Sequence, residues 1–248
     1  MLYRNLAAMD TEEMIRAQPL DGVVLLTNCD KTTPAALMGA ASADLPAILV
    51  SGGPMLSGHF RGQTLGACTD CRRLTAEFWA GTLDEATYRA IEDGIVRSAG
   101  HCMVMGTAST MNSLAEALGI ALPGNGAIPA PDARRKRLAE AAGRRIVALA
   151  REGVRPSQIM TRAAFENAIT LLSALGGSTN AVVHLPAIAG RLGVELPLAL
   201  FDEISRRTPL IANLRPAGAY QMEDPSMPAA SRPSCASCCP SCTATHRP

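Results

Sequence analysis

The sequence predicts an α/β domain of three layers, with a mostly parallel central sheet and helices on both faces. Three observations carry that expectation. An apolar run, a polar loop, a small-residue segment and a second apolar run follow one another over residues 22–50, the pattern of a parallel crossover. From residue 70 onward the chain reads as a series of helices punctuated by glycine and proline. Aromatic residues make up only 3% while alanine, glycine and leucine abound, which suits an alanine-rich α/β protein better than an all-β one.

The elements follow in order. Asp10 with Glu13 three residues on marks a helix start for "TEEMIRAQ", and Pro19 ends it. Residues 22–27 form a leucine- and valine-rich run without alternation, a strand buried on both faces. Residues 33–43 read as a helix with Pro34 in its first turn, and "PAILV" at 46–50 as the second strand. Helices are then expected at 70–80, 84–98, 107–118, 132–151, 161–175, 178–192 and 199–207, with Gly119, Gly153, Gly176-Gly177 and Gly193 among the breaks.

At 248 residues the chain can bury a sizeable core. Its 23 Lys and Arg against 22 Asp and Glu leave no basic excess, so a nucleic-acid partner is not expected. No apolar run approaches the roughly 18 residues of a membrane span, and the first residues lack a signal-peptide apolar region. A cytoplasmic protein without a membrane partner is the expectation. The eight cysteines form two populations: Cys29, Cys68, Cys71 and Cys102 in the body, and Cys235, Cys238, Cys239 and Cys242 near the end.

Candidate chemistry concentrates where the first strand ends. Cys29, Asp30 and Lys31 lie in "TNCDKTTP", beyond the carboxyl end of a parallel strand, where ligands of such sheets bind. A thiolate suits soft iron or zinc and a carboxylate suits magnesium, although on spacing alone a plain turn is the better reading. Cys102 sits in the Gly-flanked "AGHCMVMG" before a helix; alone it reads as a small buried apolar side chain in preference to a ligand. "SGGPM" (51–55) and "GGSTNAVVHLPAIAG" (176–190) set glycines before small residues, either to cradle an anion or to allow tight packing. Cys68 and Cys71 form one C-x-x-C without an in-body partner pair, a structural or incidental feature. His59, His101 and His184 share no metal-ligand spacing and read as loop or core residues.

Taken together, "CDKTTPAALMG", "SGGPM", "SAGHCMVMGTASTM", "ALPGNGAIPAPDARR" and "GGSTNAVVHLPAIAGR" resemble, in order, the family of dihydroxy-acid dehydratases, sugar-acid (arabinonate, xylonate) dehydratases and phosphogluconate dehydratase. The resemblance runs from about residue 1 to Asp224 and implies a hydro-lyase. Such an enzyme dehydrates a 2,3-dihydroxy carboxylic acid to a 2-oxo acid with an iron–sulfur cluster, 2Fe–2S in preference to 4Fe–4S, and Mg2+. It implies Cys29 and Cys102 as cluster ligands, Asp30 as a magnesium ligand, and Lys31 as a carbamylated lysine serving as another. It also implies a small polyhydroxy-acid substrate and a homo-oligomer, dimer or tetramer. "HCMVMGTASTM" and "GACTDCRR" are closer to the sugar-acid branch.

Departures from the family pattern matter as much. A further cluster cysteine and a magnesium aspartate are expected upstream of Met1. The C-terminal β-rich domain, with a glutamate ligand and the general-base serine, is expected to be missing, so no catalytic base is assigned within the chain. The expected organisation is a dehydratase N-terminal α/β domain over 1–224, incomplete at its N-terminus, and a disordered tail over 225–248. The alternative to an active enzyme is a catalytically inactive truncated remnant. "PSMPAASRPSCASCCPSCTATHRP" lacks apolar periodicity, and its adjacent Cys238 and Cys239 leave no spacer for a zinc site. GC-rich codons for it, displaced by two bases, restore a family-like continuation, so an out-of-frame translation is expected there.

Overall fold

The computed structural model describes residues 1–224; the tail expectation for 225–248 lies outside the described residues. The first helix, α1 (Leu2–Ala17), leads into strand β1 (Val23–Thr27), helix α2 (Thr32–Ala43) and strand β2 (Ala47–Ser51). β1 and β2 pair in parallel, Val23 against Ala47 through to Thr27 against Ser51. A parallel bridge from Leu49 to Ala121 carries the sheet one step further on the far side of β2.

The chain then makes a hairpin of β3 (Gly58–Phe60) and β4 (Gln63–Leu65). Its turn residues Arg61 and Gly62 both have positive φ, 47° and 79°, the twist that two-residue hairpins favour. The remaining elements are helical: α3 (Asp70–Trp79), α4 (Glu85–Ile95), α5 (Thr107–Ala117), α6 (Ala133–Glu152), the single turn α7 (Pro156–Ile159), α8 (Arg162–Leu175), α9 (Ala181–Arg191) and α10 (Leu198–Arg207).

Helices cover the sheet on both faces, and the side-chain alternation of β2 shows how. Ala47 and Leu49 join Leu25 in the main core, with Leu37 and Met38 of α2, Leu114 of α5 and Phe165 of α8. Ile48 and Val50 point the other way, into a second cluster with Leu138, Ala142, Ile146 and Leu149 of α6. A third cluster, Met55, Leu65, Leu74, Ile91, Ile95 and Met103, lies under the hairpin and α3–α4. The expected α/β class with a parallel sheet between helices is what forms.

Local chemistry sets most boundaries. Asp132 accepts from Arg134 N at 2.8 Å to start α6, and Gly153 closes it in the left-handed conformation. Thr161 and Gly176 do the same for α8. α1 begins at Leu2, earlier than the Asp10 start expected from sequence. Asp10 stands exposed within the helix, because the stretch from Leu2 to Met9 is itself a good helix former. α1 lies close against α2 because Gly39 has no side chain: a Cβ there would stand 2.7 Å from Thr11 Cβ and 2.9 Å from Ala8 O.

Candidate functional site

The loop from Thr27 to Thr33 joins β1 to α2, and its own neutral side chains hold it. Thr32 Oγ1 accepts from Cys29 N at 3.1 Å and donates to Cys29 O at 3.0 Å. Thr33, fully buried, donates from Oγ1 to Asn112 Oδ1 of α5 at 2.9 Å and lies 3.1 Å from Thr27 Oγ1. Asn112, also fully buried, donates from Nδ2 to Asn28 O at 3.1 Å. Threonines and asparagines are thus the frame, and Cys29, Asp30 and Lys31 are the side chains it presents.

Those three side chains meet different surroundings. Lys31 Nζ donates to Asp30 Oδ2 at 2.5 Å. Asp30 Oδ1 is buried 3.5 Å from Nε2 of the fully buried His184. Burial, followed by the charges of Arg4 and Lys31, lowers the His184 pKa against the opposing pull of Asp30, so the ring is held neutral. Cys29 is exposed and lies within electrostatic range of Cys102.

Cys102 precedes α5 in a loop fixed by backbone pairing to "SGGPM": His101 N donates to Gly53 O at 3.0 Å and Met55 N to His101 O at 2.8 Å. Its thiol lies near that of Cys68, which sits in the left-handed region at φ 69°. Burial, then the neighbouring thiols of Cys68 and Cys29, pushes the Cys102 thiol up to about 12. Cys68 N in turn donates to Cys71 Sγ at 3.0 Å, and Ala67 N to Met103 Sδ at 3.0 Å, seating the "GACTDC" loop on this segment. All four body cysteines are free thiols. Cys29, Cys68 and Cys102 therefore converge, and the C-x-x-C that sequence treated as incidental reaches the site.

The glycine segments serve packing. Gly53, at φ 90°, has room for no side chain: a Cβ would stand 2.4 Å from Ile128 O and 2.6 Å from Arg135 Nη2. Gly52 N donates to Thr27 O at 2.8 Å, so that amide is used inside the sheet. In "GGSTN", Gly176 caps α8, while Ser178 N donates to Thr110 Oγ1 at 3.0 Å and Asn180 Nδ2 to Thr107 Oγ1 at 2.9 Å. Of the two readings that sequence left open for these glycines, close approach is the one realised.

The donor chemistry fits an iron–sulfur cluster and magnesium side by side. The buried Cys102 thiol resists ionisation, and a soft cation offsets that resistance by holding it as a thiolate. Asp30 offers hard oxygens and already accepts a cationic group at Oδ2. The number of donors falls short, however. Among the described residues no group of three or more His, Cys, Asp or Glu side chains is gathered tightly enough to hold a metal ion. No helix among the described residues is long and apolar enough to cross a membrane.

Comparison with known proteins adds the family. The family model described as dihydroxy-acid/6-phosphogluconate dehydratase N-terminal matches residues 1–227. The chain is 58% identical over 224 residues to the L-arabonate dehydratase of Azospirillum brasilense, covering 90% of this chain and 38% of that protein. It is 55% identical over 224 residues to the L-arabinonate dehydratase of Rhizobium leguminosarum bv. trifolii, covering 90% of this chain and 39% of the relative. The dihydroxy-acid dehydratase of Halothermothrix orenii is 48% identical over 221 residues, 89% of this chain and 40% of its own length. The chain thus spans about two fifths of the length of these relatives. With a match across nearly all of its described residues, the chain belongs to the dihydroxy-acid/6-phosphogluconate dehydratase family, of which it represents the N-terminal portion.

Proposed function

We propose that this chain carries the cofactor-holding part of a hydro-lyase site that dehydrates a 2,3-dihydroxy carboxylate, a sugar acid or a branched dihydroxy acid, to a 2-oxo acid. The observation that carries the reading is the juxtaposition of soft and hard donors at one strand end: Cys29 with Cys102, and Asp30 with Lys31. Cys29 and Cys102 would hold an iron–sulfur cluster, 2Fe–2S in preference to 4Fe–4S. Asp30 and a carbamylated Lys31 would hold Mg2+. When bound, the two groups supply Lewis acidity for the leaving C3 hydroxyl and for the substrate carboxylate and C2 oxygen. The protein's share is to fix the orientation of these donors through the Thr32, Thr33 and Asn112 frame. Addition of CO2 to Lys31 Nζ, with two protons released to solvent, would replace the cation beside Asp30 by an anionic oxygen donor and turn an ion pair into two carboxylate-type donors.

Identity to arabinonate dehydratases favours the sugar-acid branch, and a cytoplasmic homo-oligomer is the natural setting. The short donor set among the described residues favours a second reading, a chain that binds its cofactors weakly and does not turn over. Anaerobic reconstitution tests the site. The wild-type chain should take up iron and sulfide that Cys29→Ser and Cys102→Ser do not, and Mn2+ that Asp30→Asn does not. Equal uptake by all variants overturns the site assignment. Formation of a 2-oxo acid from arabinonate or dihydroxyisovalerate by the loaded chain overturns the inactive reading.

A further inference from the structure

His184 lies behind Asp30 on α9, with no exposed surface. Its Nε2 is 3.5 Å from Asp30 Oδ1, and both atoms are buried without a hydrogen-bond partner. On the other side of the ring, Arg4 Nη1 stands 3.2 Å from Nδ1. A guanidinium only donates, so Nδ1 must be the accepting nitrogen and the ring proton must sit on Nε2. Arg4 is itself held in place: its Nη2 and Nε donate to Asn5 Oδ1 at 2.9 and 3.2 Å, and Nη1 reaches Val183 O at 3.4 Å.

We propose that His184 is a positioning residue for Asp30: Arg4 sets its tautomer, and the Nε2 proton anchors Oδ1 so that Oδ2 faces the loop where Lys31 lies. The proposal rests on the reading of Asp30 as a magnesium ligand. The logic is that of a ligand held from behind. A carboxylate free to rotate presents its oxygens in many directions, while one tethered at Oδ1 presents Oδ2 in one. Sequence spacing could not reveal this contact, since α1, the β1–α2 loop and α9 meet only in the fold.

The test uses the full chain with 15N-labelled histidine. Long-range proton–nitrogen correlation at neutral pH should show one of the four histidines, the one lost in His184→Gln, as the Nε2–H tautomer. That signal should shift in Asp30→Asn, and Arg4→Gln should admit the other tautomer. An Nδ1–H tautomer in the wild type, or a signal unmoved by Asp30→Asn, overturns the proposal. In parallel, Mn2+ titration followed by electron paramagnetic resonance should show binding weakened about 10- to 100-fold in His184→Leu. The donor-retaining His184→Gln should be largely spared. If Asp30→Asn weakens Mn2+ binding while His184→Leu does not, the positioning role alone is refuted. If Asp30→Asn leaves binding unchanged, the metal reading of Asp30 falls and takes the positioning role with it, whatever the tautomer.

Discussion

The frame under the Cys29 loop is the part of this site whose energetics can be worked from the structure. Asn112 is fully buried and makes two side-chain bonds there, accepting from Thr33 at 2.9 Å and donating to Asn28 O at 3.1 Å. Asn112→Ala removes both and strands the Asn28 carbonyl, while the Thr33 hydroxyl keeps Thr27 Oγ1 as its partner. A stranded carbonyl costs about 1–3 kcal/mol, so the substitution should destabilise by about 1–3 kcal/mol. Thr33→Val keeps the shape and strands mainly Asn112 Oδ1, for about 1–3 kcal/mol. Because the two share one hydrogen bond, the double variant should cost less than the sum, with a coupling of at least about 0.5 kcal/mol. Urea unfolding followed by far-ultraviolet circular dichroism in reducing buffer measures all four corners of the cycle. Strict additivity, or an Asn112→Ala cost under about 1 kcal/mol, would refute the argument that this pair is the structural clamp of the loop. As a second readout, Cys29 in Asn112→Ala should change its alkylation rate, since Asn28 immediately precedes it.

Three further outcomes are expected. Glu116 of α5 is buried, accepting from Gly124 N at 2.9 Å and Gly126 N at 2.6 Å, and burial raises its pKa from 4.5 to about 7 against the pull of those amides and Arg135. The folded state therefore binds this proton more tightly than the unfolded chain; the resulting stability is full below 4.5 and is lost as pH rises through about 7. The loss is on the order of 3 kcal/mol, Glu116→Gln should flatten that slope, and a group contribution that grows with pH in urea titrations would contradict it. Gly53→Ala should cost at least about 3 kcal/mol, from positive φ and overlap with Ile128 O, whereas Gly143→Ala in open space on α6 should stabilise by about 0.5–1 kcal/mol; equal urea midpoints for the two would remove the close-approach argument. At mildly alkaline pH, alkylation mapped by mass spectrometry should find Cys29 and Cys68 modified well before Cys102, whose thiol pushed from 9 to about 12 holds about a thousandfold less thiolate; Cys102 reacting first would show that its burial is misjudged.

Much of the fold was legible because glycine, proline and capping residues mark the ends of apolar segments. Residues 22–27, 33–43 and 46–50 correspond to Val23–Thr27, Thr32–Ala43 and Ala47–Ser51, and the long helices differ by a few residues at their ends. The differences have local causes. The expected helix at 178–192 begins at Ala181, because Ser178 and Asn180 bond to Thr107 and Thr110 across the site. The β3–β4 hairpin escaped notice since its strands are three residues each, too short for alternation, and its turn is Arg61-Gly62 instead of the usual Asn-Gly. The single turn α7 was hidden for a related reason: Pro156 marks both a break and a first helical residue.

For the site, sequence revealed the residues that project from one loop and, through the family resemblance, Cys102; it missed Cys68 and His184, which also reach it from elsewhere. Cys29 and Asp30 are neighbours in the chain, yet they face opposite company: Cys29 lies toward Cys102 and Cys68, Asp30 toward His184, Arg4 and Lys31. Adjacent residues in extended or turning backbone send their side chains in different directions, which is how a three-residue motif can face two different surroundings. The sulfur side is completed from the segment before α5 and from the C-x-x-C loop, the oxygen side from α1 and α9. The C-x-x-C spacing of Cys68 does not point to Cys102, and His184 carries no spacing signal, because each contact depends on how elements pack and not on position along one element. The same reasoning explains why the frame is neutral. Thr27, Thr32, Thr33 and Asn112 saturate one another and the backbone, so they fix the loop without adding charge that would compete for the donors it presents.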